Sequence, residues 1–245
     1  MEFLRMLGIR GKSRVNTELV FKGSLCHEVK EDTNGNYTVR SVEDMYWLAK
    51  MVNDYGYNFV GKTIRLGADI DFKGLPWVPV GTTVRKAFSG IFDGCGYCIS
   101  GIRVEGEVRY AGLFGVISGV NKLLTAEVYN LRLSSFSVKS THLSAFVGGV
   151  AGYTNEGVRI EKCLVAGVFE GKCYTGGIVG VMEDCASVRR CAIRGKVDGG
   201  QEAGAIAGRM QINSTVINCR NDATDLYGRS VSRLVGEWDE TSLIG

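Results

Sequence analysis

Gly148-Gly149-Val150-Ala151-Gly152, Gly176-Gly177-Ile178-Val179-Gly180 and Gly204-Ala205-Ile206-Ala207-Gly208 are one pattern written three times at a constant interval. The first glycines stand at positions 148, 176 and 204, which makes the repeat a 28-residue one. A degenerate fourth copy, Ser232-Arg233-Leu234-Val235-Gly236, keeps the interval. Unrelated positions share it: Ile160, Val188 and Val216; Cys163, Cys191 and Cys219; Gly167 and Gly195; Gly171 and Gly199. A looser copy, Ala111-Gly112-Leu113-Phe114-Gly115, begins 37 positions before Gly148, yet Leu131 stands only 32 before Cys163. Inserted residues are therefore expected within 119–126 or 139–145.

A 28-residue unit is too short to bury a core alone and must stack on its neighbours. Each unit holds short alternating segments such as Val158-x-Ile160 and Cys163-x-Val165, which put every second side chain on one face. Glycines separate the segments as turns. One unit winds as one coil, and successive coils stack about 4.8 Å apart. Cys163, Cys191 and Cys219 then form one inward column, and Val150, Ile178, Ile206 and Leu234 another. Helical repeats fail because the units are dense in Gly and β-branched residues. A propeller blade is longer than this unit. The fold class is thus all-β, a right-handed parallel β-helix of about 28-residue coils.

The N-terminal part repeats less. Ser41-Val42-Glu43-Asp44 has the form of an N-cap with an acid at N3. Val42, Met45, Leu48, Ala49 and Val52 share a helical face, predicting a helix from about Val42 to Asp54 that Gly56 closes. Its apolar face needs cover and an open solenoid end needs a lid, so this helix is assigned as the N-terminal cap. Residues 62–66 and 68–72 are predicted strands of the first coil. One continuous domain results: arm and first strands over 1–37, capping helix and first coils over 38–104, repeat coils and C-terminal cap over 105–245.

With 45% hydrophobic residues the chain can build a long core, and only two prolines among 245 residues suit strands and tight turns. The net charge of +3 is too balanced to imply nucleic acid. It is concentrated in a basic arm carrying Arg5, Arg10, Lys12 and Arg14. No apolar run is long enough to span a membrane, and residues 1–7 make a poor signal peptide. The expectation is a cytoplasmic protein, or an extracellular one if a leader has been removed. Eight cysteines in so large a chain are expected to be mostly reduced thiols.

Several stretches carry a resemblance: the Val39-Arg40-Ser41-x-Glu43-Asp44 helix start, Gly61-Lys62-Thr63-Ile64, Ala68-Asp69-Ile70-Asp71 and Trp77-Val78-Pro79-Val80-Gly81. Phe88-Ser89-Gly90-Ile91-Phe92-Asp93-Gly94, Ile99-Ser100-Gly101-Ile102 and the glycine repeats complete it. Over residues 38–236 the chain resembles the GLUG-motif β-helix proteins, common in bacterial surface and adhesin-like proteins and in mobile elements. The resemblance implies a repetitive scaffold that binds partners or surfaces, often secreted, with no shared catalytic residues. The chain departs from it in lacking an evident secretion signal and cell-wall anchor. It also carries Cys95 and Cys98 where the family has Asn and a small polar residue.

Chemistry-bearing groups are sparse. Cys95-Gly96-Tyr97-Cys98 lacks the second Cys or His pair of a zinc site and the βαβ context of a redox motif, so the two thiols are assigned to turn and core. Asp69, Asp71 and Asp93 form the best carboxylate group, and turn or strand-end roles account for them. His27 and His142 have no triad neighbours, and no glycine stretch ends as a phosphate loop. No cofactor or metal is expected. Arg159, Lys162, Arg189, Arg190, Arg194 and Arg220 fall near one strand of successive coils, where stacking gathers them into a basic strip, with Tyr153 and Tyr174 as flanking aromatics. The expectation is a non-enzymatic scaffold presenting a solenoid face to a protein, or alternatively to a glycan. Nucleic acid enters only through the basic strip or as part of a ribonucleoprotein. The rival readings are an intracellular mobile-element antagonist of a nucleic-acid-handling host protein, and a polysaccharide-active enzyme.

Overall fold

The computed structural model describes residues 28–121 and 124–245. The basic arm, Cys26 and His27 lie outside the described residues.

The alternating segments become strands, and every ladder between coils is parallel. One coil runs through Arg159–Glu161, Leu164–Gly171, Tyr174–Gly176 and Val179–Met182, then begins again at Ser187–Arg189. Like segments stack into four sheets of eight, seven, five and five strands, named here first to fourth in the order the coil visits them. The first sheet extends from Tyr37–Val39 to Leu243–Ile244. This is a parallel β-helix. The 28-residue period is the literal register: Val165 pairs with Ile193, Thr175 with Ala203, Val179 with Ala207 and Ile160 with Val188.

Stacking like on like makes the core. The amide of Val150 donates to the carbonyl of Ile178, Ile178 to Ile206, and Ile206 to Leu234. Val150, Ile178 and Ile206 are fully buried; each such side chain contributes about 1.5–3 kcal/mol by leaving water. The cysteines also form a column. The Cys163 amide donates to Cys191 Sγ at 3.4 Å, and the Cys219 thiol donates to the Val188 carbonyl. The hydrogen bond with Cys163, together with burial, holds the Cys191 thiol well above its usual range. The hydrogen bond with Cys191 and burial do the same for Cys219. These are protonated, apolar core groups.

The long early coil resolves into its insertions. Ser118 pairs with Asn155, 37 positions on, whereas Glu127 pairs with Arg159, only 32 on, so the loop between them holds five extra residues. Lys139 pairs with Glu170 at an interval of 31 and Phe146 with Tyr174 at 28, which places three more between Ser140 and Phe146. Both predicted loops are inserted. A bulge between Leu133 and Phe136 accounts for one further residue.

The helix spans Val42–Asn53, one residue short of the prediction. The Asp44 amide donates to Ser41 Oγ, while the Ser41 amide donates to the Asp44 carboxylate, closing the capping box. Met45, Leu48, Ala49 and Val52 are buried. The helix is inserted after the first rung, not placed before it: Tyr37–Val39 precedes it and pairs with Ile64–Leu66. It is clamped sideways as well. Asn53 Nδ2 donates to the Pro79 carbonyl, and Asn53 Oδ1 accepts from the Gly81 amide. Tyr46 packs against Phe72 and Trp77, and Trp47 against Tyr37 and Phe59. At the other end the last coil leaves Tyr227, Val231, Trp238 and Leu243 about half exposed. No described helix is long and apolar enough to cross a membrane.

Candidate functional site: a cationic corner between the first and second sheets

Four successive coils leave the first sheet through one left-handed residue before turning inward. Asn130, Lys162, Arg190 and Asn218 hold this position with φ of 54°, 53°, 52° and 55°. They are stacked, since the Asn130 amide donates to Glu161, Lys162 to Arg189, and Arg190 to Ile217. The next residue, Leu131, Cys163, Cys191 or Cys219, points into the core. The left-handed region costs most L-residues about 1–2 kcal/mol, and Asn tolerates it best. Two coils follow that preference; the two between them place long cations there.

Lys162 sits beside a groove. A cavity of about 220 Å³ is lined by Glu127, Tyr129, Asn130, Arg159, Glu161 and Lys162. A second, of about 460 Å³, shares Asn130 and Lys162 and continues round the corner to Asp93, Cys95 and Arg132. Arg159 reaches back one coil to Glu127 at 3.3 Å, and Arg190 reaches back to Glu161 at 3.3 Å. Among the described residues Arg132, Lys162, Arg189 and Arg194 form no ion pair within 4.0 Å. Burial, and then the Asp93 and Glu127 carboxylates, push the Tyr129 hydroxyl up, so it stays a neutral donor in the groove.

The predicted strip is therefore split. Arg159 and Arg189 stand on first-sheet strands, with Lys162 and Arg190 at the corner. Arg194 and Arg220 lie round the corner on the second sheet, where Arg220 is tied to Asp222 at 2.7 Å. Tyr153 and Tyr174 do not flank the strip. They stand on the fourth and third sheets, where Tyr153 packs against Phe146 and Tyr174 against the same ring. Shared coil membership placed them near the arginines in sequence, but the coil turns twice between Lys162 and Tyr174. The sequence reading missed Tyr129, Asn130, Arg132 and Glu127 as members of the site. Tyr129 and Asn130 belong to the looser copy, whose offset hid the register that stacks them on Glu161 and Lys162.

The carboxylates singled out by sequence each accept a backbone amide: Asp69 from Cys98, Asp71 from Lys73 and Asp93 from Cys95. His142 Nδ1 accepts from the Ser144 amide in its loop. Cys95 is exposed in a turn. Cys98 is not a core residue: it is half-buried, 3.3 Å from Ser134 Oγ, with the neighbouring Ile99 taking the inward position. Burial and the Asp93 charge push the Cys95 thiol up. No group of three or more His, Cys, Asp or Glu gathers among the described residues as a metal site would need.

The fold places the chain among parallel β-helix proteins. No family model matches it, and no curated protein matches it. A solved structure described as that of "a putative immunoglobulin A1 protease from Bacteroides ovatus" superposes with a TM-score of 0.69 over 87% of this chain, at 20% identity. This chain spans 65% of that one's length. At that identity the likeness shows the fold alone.

Proposed function

We propose that the chain is a non-enzymatic binding scaffold whose cationic corner docks an acidic segment of a partner protein, in keeping with its resemblance to the GLUG-motif scaffolds. One observation carries the reading: Lys162 and Arg190 occupy left-handed positions that Asn fills in the coils before and after them. Backbone strain of this kind persists where the side chain is needed. The unpaired Arg132, Lys162, Arg189 and Arg194 supply charge, the groove supplies shape, and Tyr129 supplies a rigid anchor. These are the features of a binding hot spot.

The test is a substitution toward the cheaper residue. Lys162→Asn with Arg190→Asn is expected to raise the urea midpoint, because strain is relieved. It is also expected to abolish retention of the partner recovered by affinity purification from the native cell and cross-linked to the corner. A double variant that keeps the same cross-linked partner at wild-type yield removes the reading. So does one that is less stable than wild type.

A further inference from the structure

On the side away from the corner, three aromatic side chains stack in one column of the third sheet. Tyr110 pairs with Phe146 and Phe146 with Tyr174, with ring centroids 5.5 and 5.6 Å apart. Tyr153 of the fourth sheet joins them, 5.8 Å from Tyr110 and 6.1 Å from Phe146. All four rings are half-buried, so part of each meets solvent. The column is bounded, since its next two members are Glu202 and Ser230. Folding of the solenoid needs inward apolar residues and places no demand for aromatics on this outward column.

The rings are edged by a fixed polar chain. The Tyr153 hydroxyl donates to Glu183 at 2.7 Å. With its amide oriented to suit its neighbours, Gln211 donates to the other Glu183 oxygen at 3.3 Å and accepts from Arg209 Nη2 at 2.8 Å. Arg209 Nη1 donates to the Tyr174 hydroxyl at 3.0 Å, and its Nε lies 2.9 Å from Glu237 as an ion pair. Arg209 also lies over the Tyr174 ring, and Arg109 over Tyr110 and Phe146. Glu183, Arg209 and Glu237 are tied into this network, so a charged ligand gains little from them, while Arg109 spreads over two rings and makes no ion pair within 4.0 Å among the described residues. What the surface offers is flat apolar rings next to carboxylate, amide and guanidinium groups held in place.

We propose that this aromatic column is a subsite for an uncharged oligosaccharide. Sugar rings present apolar C–H faces to stack on aromatics, and hydroxyl pairs to bridge planar polar groups such as Glu183 and Gln211. From Tyr110 to Tyr174 the column runs two centroid steps, of 5.5 and 5.6 Å. That is the reach of two or three sugar units.

The experiment is saturation-transfer NMR on the full chain with cellohexaose, xylohexaose, mannohexaose, laminarihexaose and chitohexaose, and with a heparin hexasaccharide as the charged comparison. At least one neutral hexasaccharide should receive saturation. Its affinity should fall roughly tenfold or more in Phe146→Ala with Tyr174→Ala, by the loss of two stacking faces, and persist in Phe146→Tyr. Should the double variant not fold, protection of Tyr153 and Tyr174 of the wild type from nitration by the bound sugar is the second readout. Lys162→Asn at the corner should leave sugar binding unchanged. Absence of transfer to every neutral hexasaccharide overturns the proposal. So does binding indifferent to the aromatic substitutions, preference for the heparin hexasaccharide, or loss with Lys162→Asn instead; the first of these, like absence of transfer, leaves the protein-binding reading of the corner standing, whereas the last two move the sugar to the corner and count against both.

Discussion

Replacing Gly180 with Ala tests the stacking directly. This glycine belongs to the repeated pattern, and no left-handed backbone is recorded there, so conformation does not demand glycine. Space does. A Cβ at Gly180 falls 2.5 Å from the Gly152 carbonyl oxygen, 2.6 Å from the Val147 nitrogen and 2.8 Å from the Phe146 carbonyl carbon. All three obstacles are backbone atoms of the preceding coil, engaged in ladders and unable to swing aside as a flexible side chain would. Relief requires the third and fourth sheets to part locally by several tenths of an ångström, which lengthens hydrogen bonds on both. Overpacking costs about 1–3 kcal/mol in ordinary cores; with backbone as the obstacle the upper figure, about 3 kcal/mol, is expected. Gly96→Ala is the matched control. Its φ is +78° and nothing lies within 4 Å of the new methyl, so only the conformational cost of about 1–2 kcal/mol applies. Urea unfolding followed by far-ultraviolet circular dichroism gives both midpoints, and unchanged slopes confirm that stability alone has moved. A Gly180→Ala variant as stable as Gly96→Ala refutes the close approach of the two sheets.

Three further outcomes are expected. Ser41→Ala removes one arm of the capping box and should cost about 1 kcal/mol in the same urea assay, whereas Ser41→Thr should cost little. Asp239 is held below its usual 3.8, chiefly by the Ile212 amide. Its stabilisation of the last coil is therefore complete above that value and lost as pH falls through the lowered one; Trp238 fluorescence should report loosening below about pH 4, and Asp239→Asn should abolish the pH dependence. In the native protein the exposed Cys95 should react with a thiol reagent more slowly than free cysteine, because burial and Asp93 raise it. Asp93→Asn should speed that reaction, while Cys163 and Cys191 should react only on unfolding.

The 28-residue period, read at glycines, valines and cysteines, determined the architecture by itself. A unit that cannot bury its own apolar face has to lie on an identical neighbour, and identical neighbours place like residues in columns. The capping box and apolar stripe likewise determined the helix, because both are local in the chain. The corner site was only half legible. Lys162 and Arg190 could be named, but their left-handed backbone, their Asn counterparts at 130 and 218, and the two adjoining cavities in which Lys162 meets Tyr129 and Arg132 depend on how coils of unequal length come into register. Tyr153 and Tyr174 went to the wrong face for the same reason: sequence proximity within a coil says nothing about which way the coil has turned. Outward side chains are chosen by whatever meets them from solvent or from the next rung. Tertiary stacking therefore decided their grouping, while the inward residues, constrained by one shared core, spelled out the fold in advance.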